Sequence, residues 1–157
     1  QMCIRDRIKV DLTNKGGLTM ELYSMPMFNK ILVNDIEKSS EWYQENLGFK
    51  SIFKFKNEQN QILMEHLRLA KYQDIMLISG KQFEVGNAVY TNILVPNIRI
   101  LKQRISSQYI VEDLEEKPWN SIEMTIKDLD NHLITLTQSN IRNEKFNALM
   151  QHTSKTF

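Results

Sequence analysis

The apolar positions change period several times along the chain, and each change marks an element. Ile31, Leu32 and Val33 form a short apolar run that meets Asn34-Asp35. A strand should end at Val33. Asp35 should then cap a helix, because its carboxylate can accept from the free N–H groups of the first helical turn. Beyond it Ile36, Trp42 (or Tyr43) and Leu47 recur on a helical period, and Ser39 and Ser40 are small enough to pack closely on a sheet. Gly48 follows, where a left-handed residue without Cβ strain stops a helix. Near the other end Glu123, Thr125 and Lys127 alternate with Ile122, Met124 and Ile126, the period of two of a half-buried strand.

These signals occur twice. Residues 29–36 (NKILVNDI) resemble residues 91–98 (TNILVPNI), with Asn97 standing where Asp35 stands and Pro96 helping to end the strand. Ile98, Leu101 and Ile105 mark the second helix. Strands are expected at 50–56, 61–70 and 73–79 in the first half, and at 109–114, 120–127 and 133–138 in the second. Residues 128–131 (DLDN) read as a turn, with Asp first and Asn where the backbone goes left-handed. The order is βαβββ twice. This predicts an α+β domain of two βαβββ modules, about 25–79 and about 89–138, joined by residues 80–88. Each sheet should curl over one helix, and the two together should enclose a concave groove, a default place for a ligand.

The ends read differently. Residues 1–7 (QMCIRDR) have no apolar period and resemble a translated sequencing adapter. Lys15-Gly16-Gly17 can be encoded with a bacterial ribosome-binding site, and Leu18-Thr19 supply a spacer before Met20. Residues 1–19 are therefore expected to be a non-native leader, with a flexible native tail as the alternative, and residues 20–139 to be a single domain. Ile141, Phe146, Leu149 and Met150 have the spacing of a closing amphipathic helix over 141–150, within a tail that spans 140–157.

Composition narrows the function classes. The chain has 157 residues and a net charge of +1, with acids and bases interspersed, so there is no basic patch for nucleic acid and no polybasic membrane anchor. No apolar run reaches transmembrane length and no signal peptide is visible. Cys3 is the sole cysteine, which rules out an internal disulfide and a cysteine-based zinc site. A cytoplasmic protein without nucleic-acid or membrane partners is the expectation.

The residues also carry a resemblance. Residues 31–39 (ILVNDIEKS), Trp42-Tyr43 and residues 46–49 (NLGF) resemble the opening signature of the glyoxalase/bleomycin-resistance (vicinal oxygen chelate) superfamily. Pro118-Trp119-Asn120, Glu123-Met124 and residues 128–132 (DLDNH) resemble its closing signature, with Asn in place of both usual glycines and Leu in place of a proline. Asn is the best substitute for glycine in left-handed positions, so the fold should survive. The resemblance implies the glyoxalase fold and, commonly, a homodimer, which would also cover open sheet edges.

Metal-dependent members of the superfamily place His, Glu or Gln on four strands. The matching positions here are Phe28, Met76 or Leu77, Tyr90 and Thr135, none of them a good divalent-ion ligand. The resemblance then implies a protein of the bleomycin-resistance kind, without metal, cofactor or assigned catalytic residue. It would bind or sequester a small flat or amphipathic molecule through Phe28, Lys30, Tyr90, Trp119, Glu123 and Thr135.

Two of these carry charge. Lys30 shares a strand face with Phe28 and is expected to approach Glu123 across the groove. Trp119 and Tyr90 are either groove or core residues. His66 reads as a partly exposed structural histidine facing away from Glu65, and His132 as a solvated turn residue. Met27, Met64, Met76 and Met124 suit an adaptable groove or an ordinary core. Two alternatives stand beside this reading. One is a metal-dependent lyase, thiol transferase or dioxygenase with ligands relocated to Glu65, His66 or Glu123; the other is a non-catalytic interaction module with a filled groove.

Overall fold

The structure, a computed structural model, describes residues 23–140. The expected leader and the expected closing helix lie outside the described residues.

The first strand, β1 (Asn29–Val33), runs into helix α1 (Ile36–Leu47). Asp35 caps the helix by accepting from Lys38 N at 3.1 Å, and Gly48 ends it at φ +82°. Three strands follow: β2 (Lys50–Lys56), β3 (Ile62–Ala70) and β4 (Gln73–Ser79). The second module repeats the order with β5 (Tyr90–Leu94), α2 (Ile98–Arg104), β6 (Ile110–Lys117), β7 (Ser121–Lys127) and β8 (Leu133–Ser139). Asn97 caps α2 through Ile100 N. A short 3-10 turn at Ser107–Tyr109 precedes β6, which extends three residues further than its apolar pattern suggested. Pairing with β7 continues across Glu115, Glu116 and Lys117, because an edge strand needs no apolar side chains to complete its ladder.

Each module is a four-stranded mixed sheet, ordered β1-β4-β3-β2 and β5-β8-β7-β6, with one parallel pair in each (β1 with β4, β5 with β8). α1 packs on β2, β3 and β4, α2 on β7 and β8, and the helices touch each other. The core lies between sheets and helices. It holds Ile31, Val33, Tyr43, Leu67, Leu77, Ile93, Ile98, Ile126, Ile134 and Leu136. Both Trp42 and Tyr43 are buried, and Trp42 meets Tyr109 edge to face across the modules at 5.4 Å. Strand β5 meets the first sheet through side chains: Asn29 Nδ2 of β1 donates to Thr91 Oγ1 at 2.7 Å, and Leu94 N donates to Gln73 Oε1 of β4 at 2.9 Å.

Both asparagines that replace motif glycines adopt the left-handed conformation, Asn120 at φ 64° and Asn131 at φ 70°. Among the described residues no helix is long and apolar enough to cross a membrane.

Candidate ligand-binding groove

The faces of the two sheets turned away from the helices pack against no other strand or helix among the described residues, although His66, Arg68, Asp74, Thr125 and Thr135 on them are buried, and strand register says what lies on them. In the first module Phe53, His66, Met76 and Lys30 form one row across β2, β3, β4 and β1. Phe55, Met64, Ile78 and Leu32 form the next. In the second module the equivalent rows are Glu112, Thr125, Thr135 and Asn92, then Glu115, Glu123, Thr137 and Leu94. The repeat has thus kept one backbone and diverged in chemistry: the first face is apolar and sulfur-rich, the second is acidic and hydroxyl-rich.

Register also decides between Met76 and Leu77. Met76 lies opposite Lys30, as Thr135 lies opposite Asn92, whereas Leu77 is fully buried on the helix side. The four positions that the sequence resemblance matches to the superfamily's ligands are then Phe28, Met76, Tyr90 and Thr135. A phenyl ring, a thioether, a phenol and a hydroxyl do not make a divalent-ion site of the superfamily's kind. Thr135 is already 3.2 Å from Thr125 Oγ1, which in turn donates to Glu112 at 2.8 Å. The relocated set does not assemble either. Glu65 points to the helix, where Ser40 Oγ donates to it at 2.7 Å, His66 points to the bare face, and Glu123 belongs to the other module. Among the described residues no three His, Cys, Asp or Glu side chains converge.

Two cavities open here. One, of about 280 Å³, lies where β1 and β5 meet and is lined by Phe28, Asn29, Tyr72, Asp74, Tyr90 and Asn92, among others. The other, of about 230 Å³, is lined by Tyr90, Glu112, Trp119, Glu123, Thr125 and Thr135, among others. Tyr90 is common to both. Neither Tyr90 (51% exposed) nor Trp119 (55% exposed) is a core residue. Five of the six candidate residues thus line one cavity or the other.

Lys30 lines neither, and its expected approach to Glu123 does not occur. Glu123 Oε1 instead accepts from Trp119 Nε1 at 2.6 Å and Ser121 Oγ at 2.7 Å, a local network that fixes the indole at the cavity wall. Lys30 stays exposed on β1, and no hydrogen bond or ion pair joins it to Glu123.

His66 and His132 also depart from expectation. His66 is buried, with Nε2 2.7 Å from Asp74 Oδ1. Arg68 Nε donates to the same oxygen at 2.6 Å, and Tyr23 OH donates to Oδ2 at 2.5 Å. Burial pushes the Asp74 carboxyl up, but these hydrogen bonds and the Arg68 charge outweigh it and hold the group below its usual range. Arg68 also lies 4.1 Å over the Tyr23 ring. Sequence reasoning missed this cluster. Its signal was opposite charges placed symmetrically about the 71–72 turn, which makes Arg68 and Asp74 direct cross-strand partners. His132 is only partly exposed: Nδ1 sits 2.8 Å from Asp128 Oδ2, and the ring stacks near Phe83.

No family model matches the sequence, and no curated protein matches it. Solved structures do. TioX from Micromonospora sp. ML1 superposes with a TM-score of 0.59 at 17% identity, covering 72% of this chain and 94% of that one. A glyoxalase-related enzyme from Clostridium phytofermentans gives 0.57 at 14%, covering 80% and 99%. The fosfomycin resistance protein FosX from Listeria monocytogenes, in its hexagonal form, gives 0.59 at 14%, covering 76% and 97%. This is the two-module glyoxalase fold. At such identities the likeness speaks for the fold, as one fold hosts many chemistries.

Proposed function

We propose that this is a small-molecule-binding protein of the vicinal oxygen chelate superfamily that holds its ligand without the superfamily's divalent-metal centre. The observation that carries this reading is the set of side chains at the four ligand positions: Phe28, Met76, Tyr90 and Thr135. The occupant is a flat or amphipathic molecule. Its apolar part would lie against Phe28 and Tyr90, and its polar part would face Glu112, Glu123 and the threonine pair. Two cavities that meet at Tyr90 suit this better than an interaction module, whose groove would be packed with its own side chains. FosX, a neighbour in fold, is a fosfomycin resistance protein and supports a small-molecule role by analogy only.

The working form in this proposal is a homodimer. The bare faces expose Phe53, Phe55 and Leu32 on one module and Leu94 and Trp119 on the other. The first face carries the exposed Lys30, with Arg68 buried against Asp74, and the second carries Glu112, Glu115 and Glu123, so one copy's first face complements its partner's second.

Metal analysis of untagged protein tests the reading. The expected result is no stoichiometric nickel, zinc, iron or manganese, together with ligands from a thermal-shift screen that quench Trp119 fluorescence. One equivalent of any of those four metals would overturn it.

A further inference from the structure

We propose that the bare face of the first module carries a site for a soft monovalent metal ion, copper(I), held by His66, Met76 and Met64. This goes beyond the small-molecule reading and does not depend on it.

The starting point is the His66 ring. Its Nε2 is engaged by Asp74, itself fixed by Arg68 and Tyr23. A carboxylate on one imidazole nitrogen sets the tautomer and leaves the lone pair of the other outward, the arrangement that metal-ligating histidines use. Nδ1 makes no hydrogen bond among the described residues, yet it is not among the buried side-chain atoms left without a partner, which are Trp42 Nε1 and Glu65 Oε2. It therefore keeps some exposure, although the residue as a whole is buried at 7%.

The neighbours of that nitrogen are soft donors. Met76 lies directly opposite His66 on β4, and Met64 lies two residues back on β3, on the same face. Both are partly exposed. Opposed residues have Cβ atoms about 5 Å apart and diagonal ones about 7–8 Å. Methionine has three rotatable bonds beyond that, so both sulfurs can reach one ion seated over His66. One imidazole nitrogen and two thioethers reject calcium, magnesium and manganese, and favour copper(I). The equivalent positions in the second module are Thr125, Thr135 and Glu123, so the donor set belongs to one module alone. Asp74 is already ion-paired with Arg68, which favours a singly charged ion over a doubly charged one. Lys30, beside Met76, is exposed and can keep its ammonium in water.

The test uses the full chain with methionine methyl groups labelled for NMR, titrated with silver(I) as a redox-inert substitute, and with copper(I) in anaerobic competition against bicinchoninate. The expected result is that the Met64 and Met76 methyl signals shift together and saturate at one ion. Met76→Leu, which conserves volume, should keep the thermal midpoint and lower copper(I) affinity at least tenfold. His66→Gln should lower it as much. The proposal is overturned if the two methyl signals stay in place while Cys3 or other methionines take the ion, if no ion binds, or if Met76→Leu and Met64→Leu both bind as the wild type does. None of these results bears on whether a small molecule occupies the cavities at Tyr90.

Discussion

The Tyr43 hydroxyl donates a 2.8 Å hydrogen bond to Asp128 Oδ2, joining the helix of the first module to the last turn of the second. Both residues are buried. Asp128 Oδ1 also accepts from Asp130 N and His132 N, so one carboxylate shapes the turn and holds the modules together. Burial pushes the Tyr43 phenol well above its ordinary value and the Asp128 charge adds to this, which keeps the phenol a donor at any working pH.

Tyr43→Phe should therefore destabilise the protein by about 1.5–3 kcal/mol, the range for losing a buried hydrogen bond to a charged group. Urea unfolding checks this. A change within a few tenths of a kcal/mol would mean the inter-module link contributes little.

Asp74 predicts an acid limit. Its folded-state carboxyl lies below the usual value, so the stability it contributes is present above about pH 4, near the unfolded value. That contribution is lost as pH falls through the depressed folded value. Urea midpoints measured from pH 6 to 2 should fall more steeply for the wild type than for Asp74→Asn, whose baseline is already lower. Parallel curves would remove Asp74 from the acid response.

The two left-handed asparagines should respond oppositely to glycine. Asn131 needs only its backbone conformation, so Asn131→Gly should be neutral or stabilising by up to about 1 kcal/mol, and Asn131→Ala destabilising. Asn120 also donates through its side chain to Asn140 O, so Asn120→Gly should lose at least as much as it gains. Thermal midpoints of the three variants decide it.

Phe55 is 51% exposed near the end of the outer strand of the first module. If the bare faces pair between copies, Phe55→Glu should turn a dimer at micromolar concentration into a monomer while leaving the circular dichroism spectrum unchanged. Sedimentation equilibrium reads the outcome, and a wild-type monomer would defeat the dimer at the outset.

Local chemistry made much of the fold legible in the sequence. Asp35, Asn97, Gly48 and Asn131 act within a few residues of themselves, through caps and left-handed turns, so their neighbours in the chain were enough to place them. The doubled β-branched runs and the period of two placed the strands. The sequence resemblance left Met76 and Leu77 as alternatives, because a strand pattern leaves that choice to the face each occupies.

What the sequence by itself determined is the twofold βαβββ order, its caps and turns, and the unsuitability of Phe28, Tyr90 and Thr135 as divalent-ion ligands. Only the tertiary structure decided which face Met76 occupies, that His66 is buried against Asp74, that Glu123 binds Trp119 rather than Lys30, and that Tyr43 reaches Asp128. The physical reason is range. Caps, turns and periodicity are set by residues one to four apart in sequence. Cross-strand register and module docking bring together groups such as Tyr43 and Asp128, 85 residues apart, whose pairing depends on how the whole chain closes.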